Sequence, residues 1–144
     1  MALVDQVIAR LKTAAPHLRT VDGAASLAAL MQSNALPQAE VGAHVITLGL
    51  QGGAADAATG AFTQMLDELV GVVITFRTYD RVGAADQTDV AALIRDTITA
   101  LIGWSPNDEI GVFRLVRGGL TAFNKGTIVY LLEFSITDQL RILE

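Results

Sequence analysis

The chain has 144 residues, of which 51% are hydrophobic and 17% are charged. This composition excludes a disordered chain, which combines low hydrophobicity with high charge. Ten basic against fifteen acidic side chains give a net charge of −5 without any basic run, which argues against a reader of duplex DNA. The absence of cysteine excludes disulfides, zinc–thiolate sites and thiol nucleophiles. The length predicts one domain over residues 1–144.

The N-terminus lacks the basic start and apolar core of a signal peptide. The longest apolar run, residues 69–76, is far shorter than the about 20 residues that cross a bilayer. We therefore expect a soluble protein of a reducing compartment, with no membrane partner.

Two helices are predicted near the N-terminus. The first ends at Pro16, and its apolar side chains recur at helical spacing: Leu3, Val4, Val7, Ile8 and Leu11. A short polar stretch follows at residues 19–23. The alanine- and leucine-rich residues 24–32 predict a second, shorter helix.

The pattern then changes to strands. Residues 41–50 are typical of a β-strand, whereas residues 51–60 hold three glycines and four alanines and predict a flexible loop. A strand is indicated at 61–66. Residues 69–79 are apolar on both faces, which is typical of a strand at the centre of a sheet. A second flexible loop is expected at 80–85.

A long amphipathic helix of about four to five turns comes next. Asp86 is expected at its N-cap, with Asp89 adding negative charge to the first turn. Gly103 is predicted to end the helix in the left-handed conformation, and Pro106 prevents its resumption. Trp104 is interpreted as closing an edge of the core.

The C-terminal third predicts a long antiparallel hairpin. Residues 112–116 and 120–123 form its first strand, Gly126 takes a positive φ in the turn, and residues 127–137 alternate as its second strand. The whole order predicts an α+β fold, with a mostly antiparallel sheet and helices on one face. Val129 and Leu131 lie on the other face of the last strand, where a neighbouring subunit is one explanation for partial burial.

No catalytic, cofactor-binding or metal-binding residue is predicted. His17 and His44 lie outside any metal-ligand spacing, and no serine stands in a nucleophile elbow. The glycine-rich residues 49–60 lack the ending of a phosphate-binding loop. The adjacent carboxylates Asp67-Glu68 and Asp108-Glu109 flank predicted strands, where sequential side chains point apart.

Four arginines are candidates for contacts between proteins. Arg77 and Arg81 bracket a strand end, whereas Arg114 and Arg117 are expected on opposite faces of a later strand. Each could pair with carboxylates of a neighbouring subunit or remain solvated, and the sequence leaves both readings open.

The order of short motifs resembles that of phage tail terminator-like proteins over roughly residues 3–138. The matching segments run along the chain: 36–39, 45–49, Gln64, 70–74, 101–106, 116–120 and 127–134. The most distinctive is the Gly-Trp-x-Pro signature at residues 103–106. Leu69-Val70 departs from the family pattern, which has a single aromatic residue before its glycine.

The resemblance implies a structural protein of the virion, made in the host bacterial cytoplasm. Such proteins form a homo-oligomeric ring, commonly of about six subunits, on the head-proximal end of the tail tube. The ring stops polymerisation of the tail tube protein and offers a face to the head–tail connector, while DNA passes through the lumen without being read. The net charge of −5 suits a lumen that must not retain phosphates.

Candidate contacts with a neighbouring subunit, tube or connector are Gln51, Asp56, Arg77, Arg81, Arg114 and Arg117. Gln51 and Asp56 belong to the first predicted loop, which could order on meeting a partner. Two alternatives remain open: another neck or baseplate protein, and a small α+β ligand-binding domain.

Overall fold

A computed structural model describes residues 2–18, 20–32, 41–57, 60–77, 84–106, 111–124 and 127–143. Three helices and five strands follow one another in this part of the chain. They are α1 (Leu3–Ala14), β1 (Thr20–Gly23), α2 (Ala24–Gln32), β2 (Val41–Asp56), β3 (Ala61–Arg77), α3 (Ala84–Leu101), β4 (Arg114–Asn124) and β5 (Thr127–Leu143).

The five strands form one open sheet in the order β1-β2-β3-β5-β4. Strand β1 is parallel to β2, and the other neighbours are antiparallel. The predicted α+β class, the mostly antiparallel sheet and the C-terminal hairpin are therefore confirmed. Strand β3 lies at the centre of the sheet, as its two-sided apolar pattern predicted.

Three strand predictions are wrong in extent. Residues 51–56 belong to β2 instead of a loop, because they are paired with β3 from Gln51 opposite Asp67 to Asp56 opposite Thr63. Cross-strand pairing overrides the low strand propensity of glycine and alanine here. Strand β5 continues past residue 137 to Leu143, and the polar stretch at 20–23 forms β1.

Helix α3 begins earlier than predicted. It starts at Ala84, so Asp86 lies in its first turn instead of at the N-cap, and residues 84–85 are helical instead of loop. Its end is confirmed, because Gly103 follows with a φ of 76°. The predicted turn glycine, Gly126, lies outside the described residues, as do residues 80–83 of the second loop.

The core lies between the sheet and helices α1 and α3. The sheet face that carries Val70, Val72 and Ile74, here called the helix face, packs against buried α1 and α3 side chains that include Leu11 and Leu101. On β5 the buried residues of this face are Leu132, Phe134 and Ile136, which confirms the predicted aliphatic face. The opposite side of the sheet is called the reverse face.

An aromatic junction joins both helices to the sheet. The rings of Trp104 and Phe113 stack at 5.8 Å, and Phe113 meets Phe134 of β5 edge-on at 6.4 Å. The Arg10 guanidinium of α1 lies 5.4 Å from the Trp104 ring centroid, and its Nε donates to the carbonyl oxygen of Ala100 at 2.9 Å. Trp104 therefore closes a core edge, as interpreted from the sequence.

His44 is buried on the reverse face without a hydrogen-bond partner among the described residues. It is 2% exposed, and neither ring nitrogen finds an acceptor or donor there. Desolvation lowers the pKa of His44, while the opposing effect of Asp22 on the neighbouring β1 is smaller. The neutral imidazole is therefore the form that the folded chain accommodates.

Substitution of Gly111 tests the close contact between the segment before β4 and strand β5. A Cβ at Gly111 would lie 2.8 Å from the Thr137 carbonyl oxygen, so Gly111→Ala should lower the free energy of unfolding by about 1–3 kcal/mol. Gly119→Ala is the matched control, because no atom lies within 4 Å of its Cβ position. Urea denaturation of both variants measures the difference, and equal stability would contradict the close approach.

His44 should make stability depend on pH. Because its folded-state pKa lies below the unfolded value, the unfolded chain takes up the proton first as pH falls. The stabilisation is complete above the unfolded pKa of about 6.5 and decreases below it, by at most about 1.4 kcal/mol per pH unit for one proton. Urea denaturation between pH 8 and 5 should show this slope in the wild type and not in His44→Leu. His17→Gln retains His44 and should keep the slope; an unchanged slope in His44→Leu would contradict the assignment.

Candidate interaction surfaces

The histidines and acidic side chains of the described residues do not assemble a metal site. Within them, no three His, Cys, Asp or Glu side chains come close enough together to hold a metal ion. His17 is engaged by Thr97, with Nε2 and Oγ1 2.9 Å apart. His44 is enclosed in the sheet, as described above.

The paired carboxylates of β3 do not converge. Asp67 and Glu68 lie within β3 instead of flanking a strand, and their side chains face opposite sides of the sheet, as predicted for sequential strand residues. Asp67 accepts a hydrogen bond from Thr137 Oγ1 at 2.7 Å. The second pair, Asp108-Glu109, lies outside the described residues.

Gln51 and Asp56 lie on the reverse face of β2. Gln51 pairs with Asp67, Asp56 pairs with Thr63, and both candidate side chains are exposed. Both residues were predicted in a loop but lie in a paired strand, so the hydrogen-bonded sheet fixes the positions of their backbones.

Arg114 and Arg117 lie on the same face, which corrects the prediction of opposite faces. A β-bulge between Leu115 and Arg117 inserts Val116, so Arg114 pairs with Ser135 and Arg117 with Glu133. Ser135 and Glu133 are two residues apart on β5 and therefore share the reverse face. Both arginines are exposed there, together with Gln51 and Asp56.

Arg117 forms an ion pair with Glu133. The hydrogen bond to this carboxylate, and then its charge, raise the pKa of Arg117. The partner lies within the same chain, whereas the sequence left a neighbouring subunit or solvent as alternatives. Arg77 is the last residue of β3, where its backbone pairs with Thr127, and Arg81 lies outside the described residues.

The sheet extends beyond the helices. A 17-residue strand is roughly 56 Å long, whereas the 18 residues of α3 make about 27 Å. The far ends of three strands, residues 50–56, 61–68 and 136–143, therefore form a ribbon, here called the distal ribbon. Strand β1 pairs only with residues 42–45 of β2, and β4 only with residues 127–135 of β5 within the described residues.

The helix face of the distal ribbon carries exposed apolar side chains. Leu50, Leu140 and Ile142 are 69%, 49% and 59% exposed, and Phe62 beside Ile142 is half-buried. The predicted strands end at residues 50 and 137, so the sequence did not predict this surface. The alternation of Leu140 and Ile142 with the polar residues Gln139 and Arg141 was the signal that would have extended β5.

Among the described residues, no helix has the length and apolar character needed to cross a membrane. A search of curated proteins found no match to the chain. The family described as phage tail terminator protein matches residues 2–143, which is essentially the whole chain. The chain therefore belongs to the phage tail terminator protein family, a family of structural proteins of the phage tail.

Proposed function

We propose that the chain acts as one tail-terminator domain that assembles into a ring of about six copies on the head-proximal end of the tail tube. There it stops polymerisation of the tube protein and offers a docking face to the head–tail connector. The observation that carries this proposal is the family match over residues 2–143. It favours a tail role over the ligand-binding alternative.

The geometry supports assembly with other protein surfaces. Within the described residues, β2 beyond Val45 and β5 beyond Ser135 each have one strand edge without a partner strand. Unpaired edges are sites at which strands of other chains can add. The exposed apolar side chains of the distal ribbon provide area whose burial stabilises association.

The net charge of the chain supports a ring through which DNA passes without being bound. Fifteen acidic against ten basic side chains give the chain a net charge of −5. A ring of such subunits repels phosphates on average, whereas a basic lumen would bind them. The proposed location is the tail of the virion, after synthesis in the cytoplasm of the host bacterium.

The reverse face is the proposed source of contacts with tube or connector. It presents Gln51, Asp56, Arg114 and Arg117 on one side of a hydrogen-bonded sheet, so partners would meet side chains in fixed relative positions. Arg77, the last residue of β3, remains a proposed contact, as does Arg81, which lies outside the described residues. A ring surface built on strands holds such contacts more accurately than loops do.

Deletion of the gene in the parent phage tests the proposed function. We expect overlong or headless tails, because nothing would cap the tube or join it to the head. Electron micrographs of lysates give tail lengths and the fraction of joined particles, and a plasmid copy of the gene is the control. Tails of normal length attached to heads would overturn the proposal.

Arg114→Glu tests the reverse face. The side chain is exposed, so the free energy of unfolding should change by no more than about 0.5 kcal/mol. Reversal of a contact charge should nevertheless weaken capping of purified tube ends. The protein concentration needed to cap half of the ends, scored by electron microscopy, should rise tenfold or more. Lys12→Glu, an exposed reversal on α1, should cap as well as the wild type. Equal capping by both variants would remove Arg114 from the contact.

A further inference from the structure

Two surfaces of the helix face have complementary chemistry. The first is the distal ribbon, whose exposed residues Leu50, Leu140 and Ile142 continue the apolar face of the core beyond the helices. No other described part of the chain covers these side chains to the extent of burying them. Exposed apolar side chains on one face of a sheet are typical of a surface that binds another protein.

The ribbon also carries unpaired negative charge on this face. Glu68 pairs with Ile136, and Asp138 pairs with Leu66, so the two carboxylates occupy adjacent rows of the same face. Desolvation, followed by the charge of Asp138, raises the pKa of Glu68. Neither carboxylate forms an ion pair with any described residue. A cation supplied by a partner would relieve this repulsion.

The second surface is a groove between α3 and the edge strand β4, here called the α3–β4 groove. It has a volume of about 560 Å³. Its apolar lining includes Ile94, Ile98, Ile102, Leu115 and Tyr130. Among the described lining residues Arg95 is the only charged one, so this surface is apolar and basic where the ribbon is apolar and acidic.

The occupant that fits the groove is therefore the ribbon of a second copy. The ribbon cannot fold back into its own groove, because β3 and β5 are continuously paired from Arg77 opposite Thr127 to Ala61 opposite Leu143. The two surfaces share no residue, so their contact is heterologous and can repeat from copy to copy until a ring closes. Complementary charge further favours this orientation over ribbon on ribbon.

We infer that the helix face of the distal ribbon of one copy docks into the α3–β4 groove of the next, with Glu68 and Asp138 towards Arg95. This inference rests on the proposed ring and names the surfaces that form it. It assigns the helix face to contacts between subunits and leaves the reverse face for tube and connector.

Thiol crosslinking tests the contact directly, because the natural chain has no cysteine. Ile142→Cys on the ribbon and Ile102→Cys in the groove replace exposed side chains, so both variants should fold. The purified double variant, treated with a short bis-maleimide at several protein concentrations, should give a ladder of covalent oligomers on a denaturing gel. Each single variant should give no species beyond a dimer.

The matched control combines Ile142→Cys with Lys12→Cys, an exposed position on α1 outside the groove. A ladder as strong in this control as in the test pair would overturn the inference. A double variant that stays monomeric would also overturn it. If Ile142→Cys alone gave as much dimer as the double variant gives oligomer, ribbon would lie against ribbon and the inference would be wrong. Crosslinks from the ribbon to added tube protein instead of a second copy would also overturn it.

A charge exchange separates this inference from the proposed function. Arg95→Glu should shift the midpoint of self-association to at least tenfold higher protein concentration, measured by light scattering, and combination with Asp138→Arg should restore it in part. If the Arg95→Glu variant formed rings at the same protein concentration as the wild type, the inferred contact would be overturned while the tail function would stay intact. Failure of the proposed function would appear instead as normal, joined tails in the deletion phage.

Discussion

The length of the central strands is the constraint from which the other features follow. Strands β3 and β5 run together for 17 residues, roughly 56 Å, and the helices of the core span about half that distance or less. The helix layer therefore covers one end of the sheet and leaves the outer part of the distal ribbon, with Leu140 and Ile142, exposed. The same alternation that buries Val70 and Ile74 places Leu140 and Ile142 in solvent. In the proposed ring, this extension of the core sheet would supply the interface without an added domain.

The aromatic junction explains the most distinctive sequence motif in physical terms. Gly103 takes the left-handed conformation that ends α3, and Trp104 then turns back onto Phe113. Two backbone hydrogen bonds hold the return: the Gly103 amide donates to the Phe113 carbonyl at 2.9 Å, and the Phe113 amide donates to Trp104 at 3.0 Å. Arg10 covers the indole and joins α1 to the end of α3. The Gly-Trp-x-Pro signature is thus a structural joint that fixes where β4 begins.

Hydrophobic periodicity predicted the elements that have a buried apolar face. The alanine- and leucine-rich composition predicted helix α2 with the bounds that the structure gives. Periodicity predicted the hairpin and the central strand, although the predicted strands 61–66 and 69–79 form the single strand β3. Residues 51–56 gain strand structure from pairing across the ribbon, which their local pattern of small residues does not show. Residues 138–143 differ, because the alternation of Leu140 and Ile142 with polar residues does indicate the strand. The faces of Arg114 and Arg117 were predicted wrongly because one bulge residue, Val116, reverses the alternation. A bulge depends on the partner strand, so spacing within one strand cannot reveal it.

The two faces of the sheet have different chemistry, and this difference fits two kinds of contact. The helix face is apolar over the core and carries exposed apolar side chains beside Glu68 and Asp138 at its uncovered end, which is suited to an interface between subunits. The reverse face carries arginines, glutamine and carboxylates around a centre in which His44 and Ser135 are buried. Charged groups at a surface determine which partner docks, and in which orientation, more than they determine affinity. The proposed ring contact and the proposed tube contact call for both properties, and the two faces of one sheet with an uncovered end provide them.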